Sequence, residues 1–216
     1  YATENADYLI LSNPALYSDP ASGGANHVKA FADYRRSPAG GNHQVLEADI
    51  NELYEQFAYG VRYHPIAVRN FLHWAKKAWP GLKYAFIIGK AQDYSQFRTP
   101  AAQAALVDSL FFVPAFGSPA ADIPFALSGN QLSEPIVAIG RLAVTRPSDI
   151  KTYLEKVKSH ELIRQTAGQT LEEKAWMKRV IHNSGGLAGE SASIKVYVND
   201  MGNRLNNNRF GADVYT

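Results

Sequence analysis

The sequence contains no cysteine in 216 residues. Disulfides, thiolate zinc sites and a cysteine nucleophile are therefore excluded within these residues. No apolar run is long enough to cross a bilayer as a helix, so no membrane span is expected. Neither sign of charge dominates: 22 Lys and Arg stand against 20 Asp and Glu, a net charge of +2. The basic residues are scattered, and the short pairs Arg35-Arg36 and Lys76-Lys77 read as solvated helix faces. The chain thus lacks the electrostatic footprint of a nucleic-acid binder. Internal repeats and low-complexity tracts are missing too. No basic-then-apolar leader opens the chain, which starts at Tyr1; the expectation is that any secretory signal has been removed.

What is present is a globular balance, 46% hydrophobic and 19% charged, too rich in apolar and aromatic residues for disorder. Tyr8-Leu9-Ile10-Leu11, closed by Ser12-Asn13-Pro14, predicts a strand and turn. Val28, Phe31 and Ala32 give a helical face that ends before Pro38. Val45 to Ala48 predicts a second strand. Pro65 opens the clearest helix, because a first-turn position needs no amide donor. Val68, Phe71, Leu72, Ala75 and Trp79 share one face of it, and Pro80-Gly81 stops it. Tyr84 to Ile88 is apolar throughout, as expected of a strand covered on both sides. This alternation predicts an α/β fold, a parallel sheet joined by right-handed crossovers with helices on both faces.

Residues 92–134 break the rhythm as a long excursion rich in Pro, Ala, Gly and Ser, of the kind that carries function or an insertion. Leu110 to Val113 predicts a short strand inside it. Ile136 to Ile139 predicts another strand closed by Gly140-Arg141, and Ser148 an N-cap for a helix burying Ile150, Tyr153, Leu154 and Val157. The polar stretch Gln165 to Thr170 marks a boundary, dividing the chain into residues 1–172 and 173–216. The second part reads as strand (Arg179 to His182), helix (Ile194 to Leu205) and strand (Gly211 to Thr216). That is the opening of a second α/β unit.

Several residues are candidates for chemistry. Gly89-Lys90 follows a strand, but the Ser or Thr and the longer glycine loop of a phosphate cradle are missing. Ser184 in Asn183-Ser184-Gly185-Gly186 sits at a strand-to-helix turn, yet His182 stands where a nucleophile elbow requires glycine. His182 itself ends a strand, where catalytic groups of α/β folds gather, and is a candidate acid or base. His64 and His73 read as structural or exposed, and no pair of histidines has helical metal-ligand spacing. Asp122, with Asp93 and Asp108 in the same excursion, is a candidate ligand for structural calcium.

The order of motifs resembles a known family. It runs Asp7-Tyr8-Leu9-Ile10-Leu11, then Phe31 to Arg36, Ile50 to Phe57, and His64-Pro65-Ile66-Ala67-Val68-Arg69-Asn70-Phe71-Leu72. Leu82 to Gly89, Val113 to Gly117, Pro135 to Leu142 and Tyr153 to Val157 follow. Together these are similar to the amino-terminal portion of the gingipain-family cysteine peptidases, including the sortase-like members tied to type IX secretion. The resemblance covers nearly the whole chain. It implies a bacterial, secreted or cell-surface endopeptidase with two α/β subdomains, the second caspase-like and beginning near Trp176. It also implies thiolate attack on a peptide carbonyl, assisted by a histidine and by backbone amides.

In that family the catalytic histidine lies in a His-Gly motif and the cysteine on the next strand. Neither motif occurs here, so no catalytic residue carries over, and the 216 residues are expected to be inactive alone. The implied partners are a protein or peptide substrate and the carboxyl-terminal remainder of the catalytic domain. No cofactor is required. Two departures stand out. Gly89-Lys90 replaces the family's frequent Gly-Asp, and Ala121 precedes Asp122 where serine is usual. Two rival readings are a non-catalytic α/β scaffold or binding module at a cell surface, and an unrelated α/β hydrolase using Ser184.

Overall fold

A computed structural model describes residues 5–92, 110–129, 134–168, 170–187 and 189–215. The chain divides into two compact units, residues 1–158 and 159–216.

The first unit is built on four parallel strands: β1 (Tyr8–Ser12), β2 (Val45–Asp49), β3 (Tyr84–Ile88) and β4 (Ala138–Leu142). Their order is β2-β1-β3-β4. Tyr8 pairs with both Val45 and Tyr84, and Tyr84 in turn with Ala138. Successive connections leave β1 in opposite directions, and right-handed crossovers then send their helices to opposite faces. Helix α1 (His27–Arg36) covers one face, where Phe31 stacks on Phe86 of β3 at 5.0 Å. Helix α4 (Pro147–Thr166) reaches the same ring through Tyr153 at 6.0 Å. Helices α2 (Ile50–Phe57) and α3 (Ile66–Ala78) pack on each other and serve the other face. Leu9, Ile10 and Leu11 are all buried, so β1 is covered on both sides. The expected α/β architecture, a parallel sheet flanked by helices, is present.

The face expected on α3 is the one buried: Val68, Phe71, Leu72 and Ala75 are inaccessible. Fully burying a side chain such as Phe71 contributes about 2 kcal/mol. The helix starts directly after Pro65 and ends at Ala78, with Trp79 buried beyond it against Phe71 and Trp74. α1 is capped by Asn26, whose side-chain oxygen accepts the Lys29 amide.

Three local expectations are corrected. Leu110 to Val113 forms no strand. The amides of Phe112 and Val113 donate to the Lys90 carbonyl, and the Phe112 carbonyl accepts from Asn13 Nδ2. Loop and side-chain partners thus replace a ladder. The strand expected over Ile136 to Ile139 is displaced to Ala138–Leu142. Pro135 bridges Leu127 and the Ile136 amide donates to Ala126, so the start of the apolar run is drawn away from β3. Gly140 and Arg141 therefore lie inside the strand. Ser148 is not an N-cap, because α4 already begins at Pro147, a residue suited to a first helical turn.

The second unit contains β5 (Arg179–Ile181), α5 (Ser191–Leu205) and β6 (Asp213–Tyr215). β5 and β6 pair in parallel, Val180 opposite Val214. α5 approaches one face closely at Gly202, where a Cβ would lie 3.2 Å from Val214. The expected strand-helix-strand reading of residues 179–215 matches this arrangement. No described helix is long and apolar enough to cross a membrane.

Candidate functional site

In a doubly wound sheet, ligands bind at the carboxyl ends of the strands where the order reverses, here between β1 and β3. Ser12 and Asn13 end β1; Gly89 and Lys90 follow β3. Ser12 Oγ donates to the Ile88 carbonyl at 2.9 Å, tying the two strand ends together. Gly89 has φ +140°, and a Cβ there would stand 2.8 Å from Phe112 Cβ and 3.3 Å from Val113. Phe112 and Val113 are buried against this point. The crevice is thus filled by the chain's own excursion, so Gly89-Lys90 faces protein rather than a phosphate.

Arg141 fastens the excursion there. Its Nη1 donates to the carbonyls of Gly89 and Val113, each at 2.8 Å. Its Nη2 donates to the Pro114 carbonyl at 2.8 Å and to Asp122 at 2.7 Å. Nε completes a bidentate pair with Asp122. All the donor groups of the guanidinium, which has no acceptor capacity, are matched to oxygens. The arginine side chain is 10% exposed and that of Asp122 22%. Asp122 is therefore placed as the counter-ion of a buried arginine. A calcium ion at this carboxylate would have to displace the guanidinium. Among the described residues, no group of three or more His, Asp or Glu gathers closely enough to hold a metal. Asp93 and Asp108 lie outside the described residues.

His182 follows β5, and its amide donates to the Tyr215 carbonyl at 2.7 Å. Its ring packs beside α5, 3.7 Å from where a Cβ on Gly202 would lie. Nδ1 is buried without a hydrogen-bond partner among the described residues. Ser184 is exposed in the following loop, and no hydrogen bond joins it to His182 among the described residues. The structure therefore does not couple Ser184 to His182 by a hydrogen bond among the described residues. Gly186, at φ +123°, reverses the chain towards α5. His64 acts locally, its Nδ1 accepting the Ile66 amide at 3.1 Å. Burial, then the Arg69 charge, hold His73 below the usual imidazole range.

Two features were not anticipated from the sequence. Asp19 Oδ2 accepts from Ser22 Oγ at 2.8 Å and meets His27 Nε2 at 2.9 Å, with Asp19 and His27 both buried. Those side-chain hydrogen bonds, Ser22 first and His27 next, hold the Asp19 carboxyl below its ordinary range. The Asp-Pro start of this turn was its only local signal. The second is a cavity in the smaller unit lined by His160, Arg164, Trp176, Met177 and Arg179. Its residues come from three segments, so no linear spacing could reveal it.

A filled crevice in the first unit and a buried His182 Nδ1 without a partner among the described residues do not by themselves identify a reaction. No curated protein and no solved structure matched the chain in similarity searches. The sequence profile described as Peptidase family C25 matches residues 1–215, nearly the whole chain and both units. That match covers far more than half of the sequence, and the chain belongs to Peptidase family C25, the gingipain family of cysteine peptidases.

Proposed function

We propose that these residues are the amino-terminal portion of a secreted or cell-surface cysteine endopeptidase, and that they carry no catalytic residue themselves. Residues 1–172 support the catalytic part, and residues 173–216 begin its caspase-like sheet. The observation that carries this reading is the β5–β6 pair. Parallel sheets are normally covered on both faces. Here α5 approaches one face, while Ile181 is 74% exposed and Tyr215 54%. Such a pair lacks the strands and helices on which a thiolate, a histidine and an oxyanion hole would be mounted.

The filled crevice of the first unit supports a scaffolding role for it. A peptidase acts on protein or peptide substrates, and the chemistry of this family needs a thiol that the 216 residues do not contain. The expected result is that the purified chain cleaves no fluorogenic peptide. Cleavage that co-purifies with the chain and vanishes in Ser184→Ala would overturn this reading and move the chemistry to a hydroxyl nucleophile.

A further inference from the structure

The first unit keeps an open hollow of about 380 Å³ where edge strand β2 gives way to α2. β2 runs straight into the helix, and Asp49 caps it by accepting the Asn51 amide at 2.8 Å. Asn51, Glu52, Tyr54 and Glu55 of α2 line the hollow. Beyond the helix the chain turns back at Gly60, whose amide donates to the Tyr54 carbonyl at 2.8 Å and whose φ of +76° suits glycine. Arg62, two residues later, is the fifth lining residue. Glu52 and Glu55 stand three apart on one helix, a spacing that puts Cβ atoms about 5–6 Å from each other. Both carboxylates can therefore reach one small cation. The Glu55 carboxylate lies against the turn, 3.3 Å from where a Cβ on Gly60 would stand. Among the described residues, Glu55 has no ion pair or side-chain hydrogen bond. The Arg62 guanidinium lies instead over the Tyr63 ring, 5.9 Å from its centroid. The acidic surplus extends to Asp49, whose pKa is raised by burial and further by the Glu52 charge.

Tyr54 gives an independent sign of a ligand. It is 2% exposed, and its hydroxyl is buried with no hydrogen-bond partner among the described residues. The Tyr63 backbone lies near that hydroxyl without completing a bond. Arg62, which lines the same hollow, is close enough for its charge to act on it. Burial pushes the phenol above its ordinary range, so it stays neutral and keeps oxygen lone pairs to offer. A buried hydroxyl without a partner is costly, and a donor seated in the hollow would satisfy it. A calcium ion would ask for more oxygen ligands, and no described group of three or more His, Asp or Glu supplies them. An ammonium asks for three acceptors, one for each of its protons. Two carboxylates and one phenol make three.

We propose that this hollow binds a primary alkylammonium group, its three N–H donors shared among Glu52, Glu55 and Tyr54 Oη. A free polyamine and the lysine side chain of a polypeptide both carry that group. Arg62 moderates the affinity, because a second cation in the hollow repels the first. No bond is made or broken, so the proposal stands or falls separately from the peptidase reading.

The test is a calorimetric titration of the 216-residue chain, at low salt, with 1,4-diaminobutane and with lysine blocked at both its α-amino and carboxyl groups. Saturable binding of at least one is expected. Binding of the diamine alone assigns a polyamine; binding of the blocked lysine at least as tightly assigns a polypeptide side chain. Acetylating the lysine Nζ should abolish binding. The Glu52→Gln, Glu55→Gln double variant should bind about tenfold more weakly and Tyr54→Phe about threefold, whereas Arg62→Gln should bind about threefold more tightly. Glu52, Glu55 and Arg62 are exposed, so their variants should keep the fold, checked by circular dichroism. The acetylated lysine decides the matter on the unaltered chain should a variant not fold. No saturable binding, equal affinity for the acetylated lysine, unchanged affinity in the folded double variant or in folded Tyr54→Phe, weaker binding after Arg62→Gln, or displacement by calcium chloride at equal ionic strength would each overturn the proposal.

Discussion

Arg141 in the edge strand β4 holds the carboxylate of Asp122, nineteen residues before it, in a bidentate pair at 2.7 and 2.9 Å. The same guanidinium bonds two carbonyls of the segment that fills the sheet's crevice, Val113 and Pro114, and the Gly89 carbonyl at the end of β3. Removing it strands a carboxylate and three acceptors in a largely buried place. Arg141→Ala is expected to destabilise the first unit by about 3 kcal/mol. Arg141→Lys is expected to recover less than half, because an ammonium cannot reproduce the fork. Urea unfolding followed by circular dichroism checks both. With Asp122 already paired, adding a calcium chelator is expected to leave the unfolding midpoint unchanged.

Gly89 is the backbone counterpart of that fastening. Its φ of +140° is strained for any other residue, and a Cβ would press on Phe112 at 2.8 Å. Gly89→Ala is expected to cost about 3 kcal/mol, the sum of backbone strain and overpacking. A Tm measured by calorimetry should fall accordingly. An unchanged Tm would mean that the excursion does not sit against the strand end.

Asp19 gives the fold a defined acid dependence. Its carboxyl titrates below the unfolded value because Ser22 and His27 hydrogen bond to the ionised form. The folded state therefore binds its proton less readily than the unfolded chain. The stability it contributes is fully present above the ordinary carboxylate pKa and is lost as pH falls through the lowered one. Asp49 works in the opposite sense. Burial raises its pKa, so its contribution is present at low pH and lost as pH rises through the raised value. Asp19→Asn should flatten the fall in urea midpoint between about pH 5 and about pH 2. The slope should be unchanged if the Asp19 bonds do not form.

Gly202 sets the approach of α5 to the β5–β6 pair. Its missing side chain leaves room for Val214, at 3.2 Å from a Cβ, and for the His182 ring. Alanine there gains helix propensity against one tight contact. Gly202→Leu has no such room, and should cost about 2 kcal/mol through overpacking. Amide exchange confined to residues of β5, α5 and β6 would show the loss as local.

The strongly periodic elements were legible in the sequence. α3 announced itself through Pro65, its apolar face and Pro80-Gly81, and β3 through five apolar residues in a row. What resisted reading was decided by partners distant in the chain. Ile136 and Val137 look like strand residues, yet the carbonyl of Ala126 claims the Ile136 amide before β3 can. Leu110 to Val113 has the local marks of a strand, but the amides of Phe112 and Val113 find their acceptor in the Lys90 carbonyl. Asp122 showed as a loop carboxylate with ligand potential. Only the fold reveals that its cation is Arg141. The same limit hid the basic cavity, since nothing in Trp176-Met177-Lys178-Arg179 points back to His160 and Arg164.

The segment filling the crevice between β1 and β3 is, in thermodynamic terms, a ligand tethered to its receptor. Its association is intramolecular, so its occupancy follows the effective concentration set by the chain, on the order of millimolar or above for a short tether. A soluble molecule would have to outcompete that local concentration to enter. That crevice is thereby guarded against small molecules by covalent connection, and its apparent affinity for any of them can be raised by loosening Arg141 as much as by building new contacts.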